Sequence, residues 1–140
     1  MNPEATTNPA ERLRDYGLRV TAQRRAILSA FGAPEAGHLS ADEIHASVSA
    51  ELPELARATV YNTLNEFVRA GLLRRIDGFG SALFDRNVDL GHHHFHCLGC
   101  GGLFDVRPTG AAAVSLSDPG FEVERTEIVF RGRCSECATA

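Results

Sequence analysis

The stretch RATVYNTLNEFVRAGLLRRIDGFGSALFD, residues 57–85, changes its periodicity halfway along. Up to Ala70 the apolar residues Val60, Leu64, Phe67 and Val68 recur at i, i+4, i+7 and i+8, which puts them on one face of a helix turned toward a core. The opposite face carries Arg57, Thr59, Tyr61, Asn62, Asn65 and Arg69. After Gly71 the pattern becomes extended, with two short apolar runs on either side of Asp77-Gly78, a hairpin signal with a loop longer than the minimal one. The segment therefore reads as an amphipathic helix leading directly into a β-hairpin.

Upstream, helical spacing holds from residue 9 onward. PAERLRDYG reads as a helix begun by Pro9 and stopped by Gly17, and TAQRRAILSAF as a second helix capped by Thr21. In SADEIHASVSAEL, Ser40 and Glu43 stand in the capping-box arrangement, and that helix should stop before Pro53. Three helices, a fourth amphipathic helix and a hairpin make the plan of a winged helix, whose last helix enters the major groove while the hairpin follows the backbone. A merely solvated helix face favours Glu and Lys. Here Arg57, Thr59, Tyr61 and Asn62 offer groups that pair with or stack on bases, and Arg74 and Arg75 on the hairpin are suited to phosphates.

The composition, 44% apolar and 23% charged in 140 residues, suits one globular domain or two small ones. No apolar run is long enough to span a membrane and no secretory leader is apparent, so the cytoplasm is the expected compartment. The net charge of −4 does not exclude a nucleic-acid partner, because affinity follows the placement of positive groups. Ten of the fourteen arginines lie in residues 1–86, and the acid excess lies mainly beyond them.

Past residue 91 the grain becomes short strands and turns. HHFHC, GLFDV and FEVERTEIVFRGRC look extended, and Ala111 to Leu116 could make a short helix. Read as a strand, the histidine run sends His92, His94 and His96 to one side and His93, Phe95 and Cys97 to the other. Two Cys-x-x-Cys pairs, Cys97 with Cys100 and Cys134 with Cys137, offer four thiolates to one tetrahedral zinc. Such a closed site is structural. His92 and His94 would need carboxylates to complete a nitrogen and oxygen site for iron, manganese or zinc, with Asp85, Asp89 and Asp105 as candidates. His45, standing alone, is most simply a helix-packing residue. A metal-dependent hydrolase or oxygenase would need a substrate pocket and an acid or base beyond the ligands, which nothing in the sequence suggests. A zinc-ribbon module would leave the histidines idle.

Taken in order, GLRVTAQRRAIL, HLSADEIH, RATVYNTLNEFVRAGLL, HHHFHCLGCG and CSEC make nearly the whole chain resemble the ferric uptake regulator family of metal-dependent repressors. The resemblance implies an α+β protein, with a winged-helix DNA-binding domain at 1–84, a hinge at 85–91 and a small α/β dimerisation domain at 92–140. It implies a homodimer on double-stranded DNA at an AT-rich inverted repeat, and no enzymatic turnover. Structural Zn2+ then falls on Cys97, Cys100, Cys134 and Cys137, and regulatory Fe2+ or Mn2+ on His38, Asp85, His92, His94 and Asp105. Aspartate at 105, where the iron-uptake branch usually has glutamate, resembles the peroxide-sensing branch, which implies control of oxidative-stress genes. The alternative is an iron-uptake or other metal-responsive repressor. A third metal site of some relatives is not expected, since His93 lacks evident partners in TGAAAV or ERTEI.

Overall fold

Each helix of the first half starts where a polar side chain or a proline meets the free backbone N–H groups of the first turn, or where the preceding segment has been packed down. The computed structural model describes residues 8–32, 37–88, 91–109 and 116–139, and the chain divides into two units, Met1–Val88 and Asp89–Ala140. In the first unit, Asn8 accepts a hydrogen bond from the Ala10 N–H at 2.9 Å, and Pro9 opens α1 (Pro9–Asp15). Thr21 accepts from the Arg24 N–H at 3.1 Å ahead of α2 (Ala22–Ser29). A short strand, β1 (His38–Ser40), runs into α3 (Ala41–Val48), where the capping box closes at 3.2 Å and 3.3 Å between Ser40 and Glu43. His45 Nε2 lies 2.8 Å from the Leu55 carbonyl and ties α3 to the segment entering α4 (Arg57–Ala70).

The helix α4 ends on Gly71, whose φ of 84° is costly for any residue with a Cβ, and the Leu72 N–H returns to the Phe67 carbonyl at 2.9 Å. β2 (Arg74–Ile76) and β3 (Leu83–Asp85) then form the hairpin, with β1 on the far side of β3. All pairings in this β1-β3-β2 sheet are antiparallel, and Asp85 stands opposite both His38 and Arg74. Asp85 is thus the last residue of β3, at the first position of the expected hinge, 85–91.

The core of this unit gathers Leu13, Ile27, Phe31, Ile44, Leu64, Phe67, Leu72 and Phe84 with neighbours from every helix. The buried stripe of α4 is Val60, Thr63, Leu64 and Phe67, at i, i+3, i+4 and i+7. Val68, expected in that stripe, is half-buried at its edge, because the tighter set centres on the i+3 position filled by Thr63.

In the second unit β4 (His93–Cys97) is central, with β5 (Leu103–Val106) antiparallel on one side and β6 (Val129–Gly132) parallel on the other. A one-turn helix, α5 (Ser135–Ala138), follows. The long extended run expected over 121–134 shrinks to β6, since β4 offers it ladder partners only from His94 to Cys97. Of the helix expected at Ala111 to Leu116, residues 111–115 lie outside the described residues. No helix among the described residues is long and apolar enough to cross a membrane.

Candidate metal centres

The two cysteine pairs meet because β4 and β6 run side by side. Cys97 lies opposite Gly132 in the parallel ladder, so the chain leaving β6 delivers Cys134 beside the end of β4. The Leu98 N–H donates to the Gly132 carbonyl at 2.7 Å, and the Cys97 N–H donates to the Gly102 carbonyl at 2.9 Å, closing the turn that carries Cys100. At Gly99 a Cβ would come within 3.1 Å of Cys137 Cβ and Sγ, so a larger residue would press on that ligand. One sulfur from each of Cys97, Cys100, Cys134 and Cys137 lies within 4.8 Å of the other three, and Cys100 Sγ is 4.0 Å from Cys134 Sγ. A tetrahedron with Zn–S bonds of about 2.3 Å has edges of about 3.8 Å, so the four sulfurs fit zinc once side-chain shifts of up to about 1 Å bring them onto it.

The thiols are not electrostatically alike. Backbone N–H groups of Cys100 and Cys134 point at Cys97 Sγ from 3.4 Å and 3.3 Å and lower its pKa from 9.0 to about 6. The thiol of Cys137, donating to neighbouring sulfurs of Cys134 and Cys97, is pushed up to about 12. For Cys100 the Gly102 N–H lowers the pKa, but the sulfurs of Cys97 and Cys134 together with burial raise it overall. Cys97 is thus the sulfur most ready to give its proton up to a cation.

The imidazole and carboxylate donors are arranged separately in each unit. In the first, the β1–β3 register brings His38 Nε2 to 3.3 Å from Asp85 Oδ2, with Asp85 fully buried and the His38 side chain 9% exposed. In the second, the β4–β5 register sets His94 opposite Asp105, with His94 Nε2 at 3.4 Å and His92 Nε2 at 3.6 Å from Asp105 Oδ1. Nitrogen and carboxylate oxygen donors converging at such distances are what a divalent ion of the iron or manganese type takes. The rings of His92 and His94 meet edge to face, their centroids 5.0 Å apart. His96, in the same row of the strand, is half-buried with Nδ1 2.9 Å from the Arg131 guanidinium. His93 is occupied otherwise, accepting on Nδ1 from the Ile128 N–H at 3.0 Å.

Glu127 escaped the sequence reading. Its Oε1 lies 3.0 Å from His94 Nδ1, on the side of the ring away from Asp105. It sits just ahead of β6, thirty-three positions beyond His94, so no local motif links the two.

On the proposed DNA-facing surface, Arg57, Tyr61 and Asn62 are exposed and Thr59 is half-buried. Arg57 reaches Asp42 at 3.1 Å, and Arg75 reaches Asp77 at 3.1 Å while remaining accessible. Arg74 departs from its expected phosphate role. Strand alternation turns it inward beside Ile76, and at 7% exposure its guanidinium is not presented to solvent.

Comparison with known proteins places the chain in a family. The model of the ferric uptake regulator family matches residues 15–130. Ferric uptake regulation protein 1 of Mycolicibacterium fortuitum is 37% identical over 122 residues, covering 84% of this chain and 74% of that protein. The peroxide operon regulator of Bacillus subtilis is 33% identical over 132 residues, 91% of this chain and 90% of that one. The structure of the Pseudomonas aeruginosa ferric uptake regulator with manganese superposes with a TM-score of 0.67 at 26% identity, covering 92% of this chain and 99% of its own. With a family match spanning most of its length, the chain belongs to the ferric uptake regulator family of metal-responsive, DNA-binding transcription regulators, which are not enzymes.

Proposed function

We propose that the chain is a homodimeric repressor whose DNA binding is switched by a regulatory Fe2+ or Mn2+ ion and is released by peroxide. In this reading Cys97, Cys100, Cys134 and Cys137 hold a structural zinc. His38 and Asp85 from the first unit and His92, His94 and Asp105 from the second hold the regulatory ion. The supporting observation is that each unit assembles an imidazole–carboxylate pair across neighbouring strands, at 3.3 Å for His38 and Asp85 and 3.4 Å for His94 and Asp105.

Donors drawn from both units reach a common ion in only one arrangement of the units, so ligation favours that arrangement. A swing from 1:99 to 99:1 takes about 5.5 kcal/mol of differential affinity, which several coordination bonds supply. Residues 1–84 then act as the DNA-binding domain, 85–91 as the hinge and 92–140 as the dimerisation domain. In a dimer the favoured arrangement places two α4 helices about 34 Å apart, one turn of DNA, to match an AT-rich inverted repeat. Arg57, Thr59, Tyr61 and Asn62 meet base edges, and Arg75 meets phosphate.

The aspartate at 105 supports the peroxide-sensing reading, as does the likeness to the Bacillus subtilis peroxide operon regulator. Ferrous iron held by these residues would supply the redox chemistry that cleaves the O–O bond of peroxide. His38 or His92 would be the group oxidised, one ring C–H becoming C–OH while the second peroxide oxygen leaves as water, so that the ring itself is the two-electron reductant. A ring so altered no longer serves as a ligand, and the DNA is released. A second reading, an iron-responsive repressor indifferent to peroxide, is favoured by the 37% identity to ferric uptake regulation protein 1.

Treating iron-loaded protein with peroxide separates the two readings. Operator binding is measured before and after, and the peptides containing His38 and His92 are weighed. An added oxygen on either peptide with loss of binding is expected, and Asp105→Glu should keep metal-dependent binding while losing it more slowly under peroxide. Unmodified peptides and undiminished binding would establish the iron-responsive reading instead.

A further inference from the structure

We propose that Glu127 is a positioning residue for His94, an inference that rests on His94 being a ligand of the regulatory ion. The His94 ring is fully buried between two carboxylates, Asp105 Oδ1 at 3.4 Å from Nε2 and Glu127 Oε1 at 3.0 Å from Nδ1. A ligand imidazole can offer only one nitrogen to a metal, and the proton on the other decides which. A carboxylate beside Nδ1 holds that proton there, leaves the Nε2 lone pair facing Asp105 and His92, and makes the ring a better donor.

Glu127 is fastened for this task. The Ile128 N–H donates to His93 Nδ1 at 3.0 Å, and the His94 N–H donates to the Ile128 carbonyl at 3.1 Å, so the backbone next to Glu127 is tied to the two histidines flanking the contact. Its second oxygen, Oε2, lies 3.9 Å from the half-exposed guanidinium of Arg125. The same geometry gives His93 its part. It anchors the segment that carries Glu127 through its Nδ1.

The test uses full-length protein retaining its structural zinc, with Glu127→Ala, Glu127→Gln and His94→Ala. Mn2+ affinity is measured by titration, and the tautomer of His94 in protein lacking the regulatory ion is read from its imidazole 15N shifts. Wild type should carry the proton on Nδ1. Glu127→Ala should shift His94 toward a tautomer mixture and weaken Mn2+ by about tenfold to a hundredfold. Glu127→Gln keeps an acceptor oxygen and should recover part of both. The proposal fails if Glu127→Ala leaves affinity and tautomer unchanged while His94→Ala loses Mn2+. It fails equally if Glu127→Ala matches His94→Ala in full loss with no rescue by glutamine, which would make Glu127 a ligand. If His94→Ala itself retains Mn2+, the assignment of the regulatory site falls, and the role of Glu127 with it.

Discussion

The two units are held together by different means. In the first, Phe31, Phe67 and Phe84 are buried with aliphatic side chains from all four helices, a core of the ordinary kind. In the second, the buried positions among the described residues are His92, His94 and Cys97, while Phe104, Phe121, Val123 and Phe130 are 41% to 71% exposed. With so few apolar positions buried among its described residues, this small unit gains little from burial, and small domains of this kind rely on metal or on a second copy. On the proposed reading, zinc at the four cysteines and pairing with a second copy supply the difference. The first unit has an apolar core of its own.

Removing one zinc ligand is the most severe way to break this contrast. Cys97→Ser should reduce zinc from one per chain to near none and unfold the second unit, with the helical signal of the first largely kept, as checked by metal analysis and circular dichroism. A fully folded mutant lacking zinc would refute the contrast. The pH dependence follows from the same cysteine. Its pKa is depressed to about 6, so whatever fold the second unit keeps without zinc gains stability from this thiolate in full above pH 9.0 and loses it as pH falls toward 6. Cys137, pushed up to about 12, has the opposite sign, its contribution complete below pH 9.0 and lost as pH rises through 12. Zinc binding at neutral pH should therefore release protons, measurable in a weakly buffered titration, and should weaken as pH falls.

The complementary change lies in the first unit. Phe67→Ala should cost roughly 3–5 kcal/mol there and leave zinc content unchanged, measured by denaturant unfolding beside metal analysis. Next in size, His38→Ala should preserve zinc, dimer and fold, yet lower operator affinity at fixed manganese by about tenfold or more, about 1.4 kcal/mol. Undiminished metal dependence in that mutant would remove the link between the units. The remaining effects belong to the DNA surface. Asn62→Ala should relax sequence preference, by about 1–3 kcal/mol at the contacted base, whereas Arg75→Ala should weaken all DNA alike and lower the salt slope by about one. Arg74→Ala should act on the fold of the hairpin and not on the salt slope, since its side chain is buried.

Much of this molecule was legible before any coordinates. Caps and turn residues act over a few positions, so Thr21, the Ser40–Glu43 pair and Gly71 marked helix ends where the structure has them. The apolar period of α4 and the Asp77-Gly78 turn likewise reported local preferences. The four cysteines were readable together because a Cys-x-x-Cys turn presents two sulfurs by its own geometry, and two such turns have few other uses in one chain.

What remained hidden depends on pairing between distant segments. The strand β1 has no signal of its own in three residues, and exists because β3 lies beside it. The extended look of residues 121–128 came to nothing without a partner strand, and Arg74 and Arg75 looked equivalent until the pleat turned one inward. The chain by itself determined the kinds of donor, the helix boundaries and the presence of two cysteine turns, since these follow from short-range sterics and hydrogen bonding. Only the tertiary structure decided that His38 faces Asp85, that His94 faces Asp105, and that Glu127 stands behind His94. Those contacts arise from strand register and from one backbone anchor at Ile128, and register is set by which long-range pairs close, a quantity no local window of sequence contains.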